Sequence, residues 1–327
     1  MYSGLPVKIG RAAEGDTFEA AVLAGLARRP RAVPAKFLYD AQGSALFDAI
    51  CELPEYYLTR TEIAILRDCV PDIAALAGPG RQLVEFGSGS STKTRLLLDG
   101  LHKVAAYLPI DISVEHLEAS SRRLRRDYPL LPVVPVYADY MDMPVLPWLP
   151  GAADAPRLGF FPGSTIGNLD RHEAREFLHN ARRLLGRGGA LVLGADLKKD
   201  PEMLHAAYND SAGVTAAFSL NLLLRMNREL DANFDARAFA HDAFYNSGEG
   251  RIEIYIRSLC PQWVRVAGRP FFFDTGERIH TEYSYKYDLG DIDALSASAG
   301  FVRARTWTDP HRLFSVHYLT AAGDEPG

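Results

Sequence analysis

At 327 residues, 47% of them hydrophobic and 24% charged, the chain has the make-up of an ordinary soluble globular protein, long enough for one elaborated core or two domains. Its net charge of −5 gives no basic footprint for nucleic acid or an anionic membrane, so a small-molecule partner is expected. Without a run of roughly 18 apolar residues, an apolar signal-peptide centre in Met1 to Gly15, clustered cysteines (Cys51, Cys69, Cys260) or a His-x-x-x-His pair, the expectation is a cytoplasmic monomer with no metal and no disulfide framework.

Thr17 to Ala27 reads as a short amphipathic helix that Arg28 to Pro34 breaks. A turn at Lys36 to Gly43 leads to a helix from about Ser44 to Glu52, and a Pro-initiated loop at Leu53 to Tyr57 follows. Tyrosines at this density usually pack, yet each carries a hydroxyl that a polar ligand can use. The next helix runs from Thr61 toward Ala77, with Pro71 expected to kink or split it and Gly78-Pro79-Gly80 to end it.

Leu83 to Leu98 is the most informative stretch. Leu83, Val84 and Phe86 predict a buried strand, Gly87-Ser-Gly89 a tight turn, and Ser90 onward a helix with Ser or Thr available to cap it. Glycine lets a ligand approach the backbone, and the helix start offers unpaired N–H groups. A dinucleotide fingerprint wants a third Gly where Thr92 stands, and a P-loop wants Gly before Lys93-Thr94. S-adenosylmethionine needs the turn but brings no phosphate, and Glu85, two residues before Gly87, is typical of that turn in methyltransferases. Ala105 to Ile110 predicts a second strand ending in Asp111, about 24 residues past Gly87, where an acid accepts bonds from both ribose hydroxyls. Val133 to Tyr137 predicts a third, with Asp139 at its end placed for an adenine amino group. Singly, each Asp is as well explained by a helix cap or loop end; together they form a set.

A helix from Val114 to Asp127, a strand at Leu158 to Pro162, a helix from Arg171 to Leu185 and a strand at Ala190 to Ala195 continue the alternation, so the fold class is α/β with a parallel sheet covered on both faces. Its ligand should lie beyond the carboxyl ends of the strands. One such end carries Gly163-Ser-Thr165-Ile-Gly167-Asn168, small polar groups suited to a zwitterion. Pro201 to Asn227 is helical in pattern, and Phe239 to Val266 and Phe271 to Tyr287 have strand composition, with turns at Ser247 to Gly250 and Asp274 to Glu277. This looks like an inserted substrate domain. A helix at Asp291 to Ala299 and strands at Phe301 to Trp307 and Phe314 to Thr320 then return to the first sheet.

The blocks Glu-Phe-Gly-Ser-Gly-Ser-Ser-Thr-Lys-Thr-Arg (85–95), Gly-Ser-Thr-Ile-Gly-Asn-Leu (163–169), Ala-Tyr-Asn-Asp (207–210), Gly-Val-Thr-Ala-Ala-Phe (213–218), Asn-Arg-Glu-Leu (227–230) and Trp-Thr-Asp (307–309) closely resemble the histidine Nα-methyltransferases of ergothioneine biosynthesis. The resemblance covers nearly the whole chain. It implies a class I, Rossmann-like methyltransferase domain (60–196 with 287–327) and an α+β substrate domain (1–59 with 197–286). It also implies stepwise transfer of three methyl groups from S-adenosylmethionine to the α-amine of L-histidine, giving hercynine, with no metal. By the same resemblance Tyr56, Asn168 and Tyr208 hold the substrate carboxylate and amine, Gly163 and Thr165 lie beside the amine, and Tyr39 is a pocket hydroxyl. Gly87, Lys93, Asp111, Asp139 and Tyr140 carry the cofactor, and Glu282 and Ser284, on one face of a strand that turns Tyr283 away, grip the imidazole. Ile254, where histidine-specific relatives carry Met, and the large aromatics of Tyr-Ser-Tyr-Lys-Tyr (283–287) depart from the family pattern. The alternatives are an Nα-methyltransferase for another aromatic amino acid such as tryptophan, a non-catalytic amino-acid sensor, and a P-loop phosphotransferase.

Overall fold

The computed structural model describes residues 7–8, 17–89, 91–142, 145–149, 151–152 and 154–321. Ser90 and most of residues 1–15 therefore lie outside the described residues. The described residues form two compact units, one drawing on 7–8, 58–198 and 286–321, the other on 17–57 and 199–285. Strands and helices are numbered along the chain.

The first unit is built on an eight-stranded sheet of β1 (Val7–Lys8), β3 (Gln82–Phe86), β4 (Ala106–Asp111), β5 (Val136–Tyr137), β6 (Arg157–Phe161), β7 (Ala190–Asp196), β13 (Phe301–Thr308) and β14 (Phe314–Ala321). Their order is β1-β5-β4-β3-β6-β7-β14-β13, parallel as far as β7, with β14 antiparallel to both β7 and β13. β3, β4, β6 and β7 are buried almost throughout, as strands covered on both faces must be, and this is why they read as apolar runs. Helices α4 (Thr92–Gly100), α5 (Val114–Asp127) and α6 (Arg171–Leu185) make the crossovers, while α3 (Tyr57–Ala77) precedes β3 and α9 (Leu289–Ser298) precedes β13. The order reverses between β3 and β6, which makes their carboxyl ends the switch point at which open α/β sheets bind ligands. Phe86, Phe161 and Phe177 pack together beneath it, with ring centroids 4.1 to 6.2 Å apart.

Several local expectations are corrected. The third strand shrinks to two residues because Pro135 removes a ladder N–H, leaving Val133 as an isolated bridge to Tyr107. Pro71 does not split α3, which runs unbroken to Ala77 and stops, as expected, at Gly78, whose φ is +71°. Residues 7–8, expected with the substrate domain, extend the first sheet beside β5.

The second unit contains α1 (Phe18–Ala27), α2 (Ala41–Cys51), α7 (Pro201–Tyr208) and α8 (Val214–Glu229). Its four-stranded sheet has the order β2-β12-β9-β8, from β2 (Arg31–Ala32), β8 (Phe239–Asn246), β9 (Arg251–Ser258) and β12 (Arg278–Tyr285), and β10 (Gln262–Val266) and β11 (Arg269–Phe273) form a hairpin. Helix α2 starts three residues before the expected Ser44 because the Asp40 carboxylate caps it, accepting the Gly43 N–H at 2.7 Å. No helix among the described residues is long and apolar enough to cross a membrane.

Where β7 leaves the first unit and the chain returns to it, the Tyr287 N–H donates to the Asp196 carbonyl and the Lys198 N–H to the Tyr287 carbonyl, both at 3.0 Å. Beside them Lys286 Nζ meets Asp196 Oδ2 at 2.8 Å, with both side chains fully buried. Removing one partner strands the other charge in a dry site, whereas removing both does not. Lys286→Met is therefore expected to lower stability by about 3–5 kcal/mol, and Asp196→Leu combined with Lys286→Met to recover most of it, as read by urea denaturation. A double variant no more stable than the single one would refute this.

Candidate active site

On the first unit the turn after β3 is fixed by Gly87. Its φ of +75° suits glycine, its N–H donates to the Ile110 carbonyl at 2.9 Å, and a Cβ built on it would sit 3.7 Å from the Tyr140 ring. The turn is thus tied to the end of β4, one residue before Asp111. The Asp111 carboxylate accepts the Ser113 N–H at 2.8 Å, and burial raises its pKa to about 6. Past β5, Asp139 accepts the Met141 N–H at 3.0 Å, and the Tyr140 ring lies edge-on to Phe161 and Phe177, 5.6 Å from each. Because β5, β4 and β3 are neighbours, the carboxyl-end segments bearing Gly87, Asp111, Asp139 and Tyr140 adjoin. Ser91 precedes α4 with φ +65° and its side chain makes no capping bond, while Ser90, the other candidate cap, lies outside the described residues.

Glu85 lies buried under this turn. Its carboxylate accepts the Thr94 hydroxyl at 2.8 Å and the Tyr107 hydroxyl, and so joins β3 to β4 and α4. Burial outweighs those donors and lifts its pKa to about 7.

After β6 the chain takes two consecutive left-handed residues, Gly163 (φ +78°) and Ser164 (φ +58°), before a 3-10 turn at Thr165–Asn168. Three groups hold them. The Gly163 N–H donates to both Glu62 carboxylate oxygens (3.0 and 2.9 Å), Ser164 Oγ accepts the Asp196 N–H (2.9 Å), and the Thr165 hydroxyl donates to the Pro162 carbonyl (2.8 Å). A capping box at Asp170 and Glu173 then starts α6 immediately after the turn. Lys93, in the first turn of α4, meets Glu62 at 2.5 Å.

On the second unit Tyr56, Tyr208, Glu282 and Ser284 are all buried. The Tyr208 hydroxyl shares a 2.8 Å hydrogen bond with Ser284 Oγ, and the Tyr56 and Tyr208 rings meet edge to face at 6.2 Å. Tyr39 packs against Phe47 and Phe218, at 5.5 and 5.4 Å. Burial holds the Tyr56 hydroxyl well above its ordinary pKa, so it stays a neutral donor. A bulge sets the aim of Glu282 and Ser284. Between the pairs His280–Tyr255 and Glu282–Ile254, β12 carries one extra residue, Thr281, whose hydroxyl donates to the Ile254 carbonyl at 3.1 Å. Plain alternation from buried Ile279 would bury residue 283 and turn 282 and 284 outward; the extra residue reverses this. Tyr283 faces the other way, against the Arg251 guanidinium at 3.8 Å and the His280 ring at 3.9 Å.

Sequence reasoning missed the supports of these residues. Glu62 falls on the buried stripe of α3 formed by Leu58, Ile65, Leu66, Cys69 and Ile73, and an acid on an apolar stripe was the available signal. His241, whose Nε2–H donates to the Tyr208 carbonyl while Nδ1 bonds the Ser219 hydroxyl, both at 2.9 Å, gave none. Among the described residues no group of His, Cys, Asp and Glu could hold a metal ion.

Compared with known proteins, residues 18–321 match the family of SAM-dependent, histidine-specific methyltransferases. The chain belongs to that family. This methyltransferase is 43% identical over 300 residues to the histidine N-alpha-methyltransferase of Mycolicibacterium smegmatis, covering 90% of this chain and 92% of that one. It is 41% identical over 293 residues to the Mycobacterium tuberculosis protein of the same name (88% and 90%). It is also 29% identical over 316 residues to ergothioneine biosynthesis protein 1 of Neurospora crassa, covering 89% of this chain and 33% of that longer protein.

The raised pKa of Glu85 makes stability depend on pH. Between 4.5, its ordinary value, and about 7 the folded methyltransferase holds a proton that the unfolded chain has released, so stability falls as pH rises through this window and levels off above it. From pH 5 to pH 8 this contribution is on the order of 3 kcal/mol, at about 1.4 kcal/mol per unit. Urea denaturation should show the native protein declining by that much relative to Glu85→Gln between the two pH values, since whatever buried His280 and His317 contribute is common to both proteins. An equal decline in both would assign it elsewhere.

Proposed function

We propose that this methyltransferase moves three methyl groups in succession from S-adenosylmethionine to the α-amine of L-histidine, giving hercynine in ergothioneine biosynthesis. Histidine N-alpha-methyltransferases identical at 41–43% over about nine-tenths of the chain support the substrate and the reaction. The observation that carries the choice of amino acid is the bulge at Thr281, which buries Glu282 and Ser284 on one face beside Tyr208.

Bound S-adenosylmethionine supplies an electrophilic methyl group on a sulfonium that is already a good leaving group. The residues of this chain have to position the amine and keep it neutral. In the proposed assignment Gly87 lets the cofactor approach the backbone, Asp111 accepts both ribose hydroxyls, Asp139 and Tyr140 take the adenine, and Lys93 completes the set. Tyr56, Tyr208 and Asn168 hold the carboxylate and amine. Hydroxyls that stay neutral, such as that of Tyr56, do not stabilise an ammonium as a carboxylate would, which favours the nucleophilic form. Gly163 and Thr165 line the amine, and Tyr39 adds a hydroxyl. Glu282 accepts one imidazole N–H and Ser284 bonds the other nitrogen. Tryptophan offers one donor and no acceptor, so it leaves the pair half satisfied.

Mass spectrometry of the protein with S-adenosylmethionine and each proteinogenic amino acid should show mono-, di- and trimethylated histidine in order, all on the α-nitrogen. Glu282→Ala should cost histidine about 1.5–3 kcal/mol in kcat/KM and narrow its lead over tryptophan. Methyl on the imidazole, or a native preference for tryptophan, would overturn the assignment.

A further inference from the structure

Glu62 is fully buried, and its carboxylate joins three parts of the first unit. It pairs with Lys93 Nζ at 2.5 Å and accepts the Gly163 N–H at 2.9 and 3.0 Å. The third part is β7, where Gly194 leaves the space the carboxylate occupies: a Cβ there would lie 2.2 Å from Glu62 Oε1. Lys93 stands at the second position of α4, where the helix dipole opposes a cation, and its side chain is only 18% exposed. A cation so placed needs a counter-ion, and among the described residues Glu62 is the acid that meets it. Gly163 opens the two-residue left-handed step that leads into Thr165 and Asn168.

We propose that Glu62 is a positioning residue: one carboxylate fixes the Lys93 ammonium and the Gly163 amide together, and so sets the glycine turn of β3 in register with the loop after β6. This rests on Lys93 serving the cofactor and Gly163 to Asn168 serving the amino acid. Glu62 itself touches neither ligand in this scheme.

The test is a double-mutant cycle on the full chain, read by calorimetric titration with S-adenosylhomocysteine alongside KM for histidine, with thermal denaturation to verify folding. Glu62→Gln keeps the shape and loses the charge; it should weaken S-adenosylhomocysteine about ten- to a hundredfold. Lys93→Met should do the same, and the double variant should be no weaker than the worse single one. Glu62→Gln should also raise KM for histidine, through Gly163, whereas Lys93→Met should not. Gly194→Ala, which keeps Glu62, Lys93 and Gly163 as residues but pushes the carboxylate out of its space, should reproduce both losses, and Glu62→Asp should restore part of the binding. Native-like affinity in Glu62→Gln, or fully additive losses, would overturn the proposal while leaving Lys93 its role. Native-like affinity in Lys93→Met would instead remove Lys93 from the cofactor site. Should Glu62→Gln fail to fold, Glu62→Asp and Gly194→Ala decide, and native affinity in both overturns the proposal.

Discussion

In a parallel sheet every strand hands its chain over at the same edge, and in this protein the hand-overs after β3, β4, β5 and β6 adjoin one another. That constraint collects Gly87, Asp111, Asp139 and the Gly163 loop into one neighbourhood although 76 residues separate the first from the last. Backbone at such an edge has lost its ladder partners, so other groups must hold it. Here they are buried: Glu62 takes the Gly163 amide, Ser164 takes the Asp196 amide, and Glu85 gathers hydroxyls from Tyr107 and Thr94. Each of these acids would be costly in a dry core, and each is matched by donors from a different segment. The acids that burden stability are thus the ones that fix the geometry of the turns.

The second unit reaches the same end through sheet geometry. A single extra residue at Thr281 decides which side chains of β12 face inward. Glu282 and Ser284 are aimed by the bulge, Tyr208 by His241 on its backbone, and the segment before Tyr56 is tied to the one after Tyr208 by Glu55, which accepts from both the amide and the hydroxyl of Ser211. Tyr283 is taken up on the opposite face by Arg251 and His280, away from Glu282 and Ser284.

Much of this was legible in the sequence. Buried strands and crossover helices announce themselves through apolar runs and period, so β3, β4, β6, β7 and α6 fall within a residue or two of their expected bounds. Several blocks that carry the family resemblance prove structural: Asp309 accepts the Leu313 and Phe314 amides at the β13–β14 turn, Asn227 exchanges two bonds with Phe234, and Asp210 caps α8. Pairings between distant segments were not legible, because no local pattern links Glu62 to Gly163, Lys286 to Asp196 or His241 to Tyr208. The bulge at Thr281 was equally hidden: it reverses the facing of every later residue of β12, yet the run Thr281-Glu282-Tyr283-Ser284 carries no composition signal that marks where the phase changes. Pro71 is a strong local breaker that does not split the helix around it.

The most direct test of the central claim, that the first unit holds the cofactor by its turns while the second reads histidine by Glu282 and Ser284, is a crystal structure with S-adenosylhomocysteine and L-histidine bound. The account predicts ribose hydroxyls on Asp111, the homocysteine backbone at Gly87, and the imidazole between Glu282 and Ser284 with its carboxylate on Tyr56 or Tyr208. A ribose away from Asp111, or an imidazole turned away from Glu282 with Ser284 left to Tyr208 alone, would contradict it.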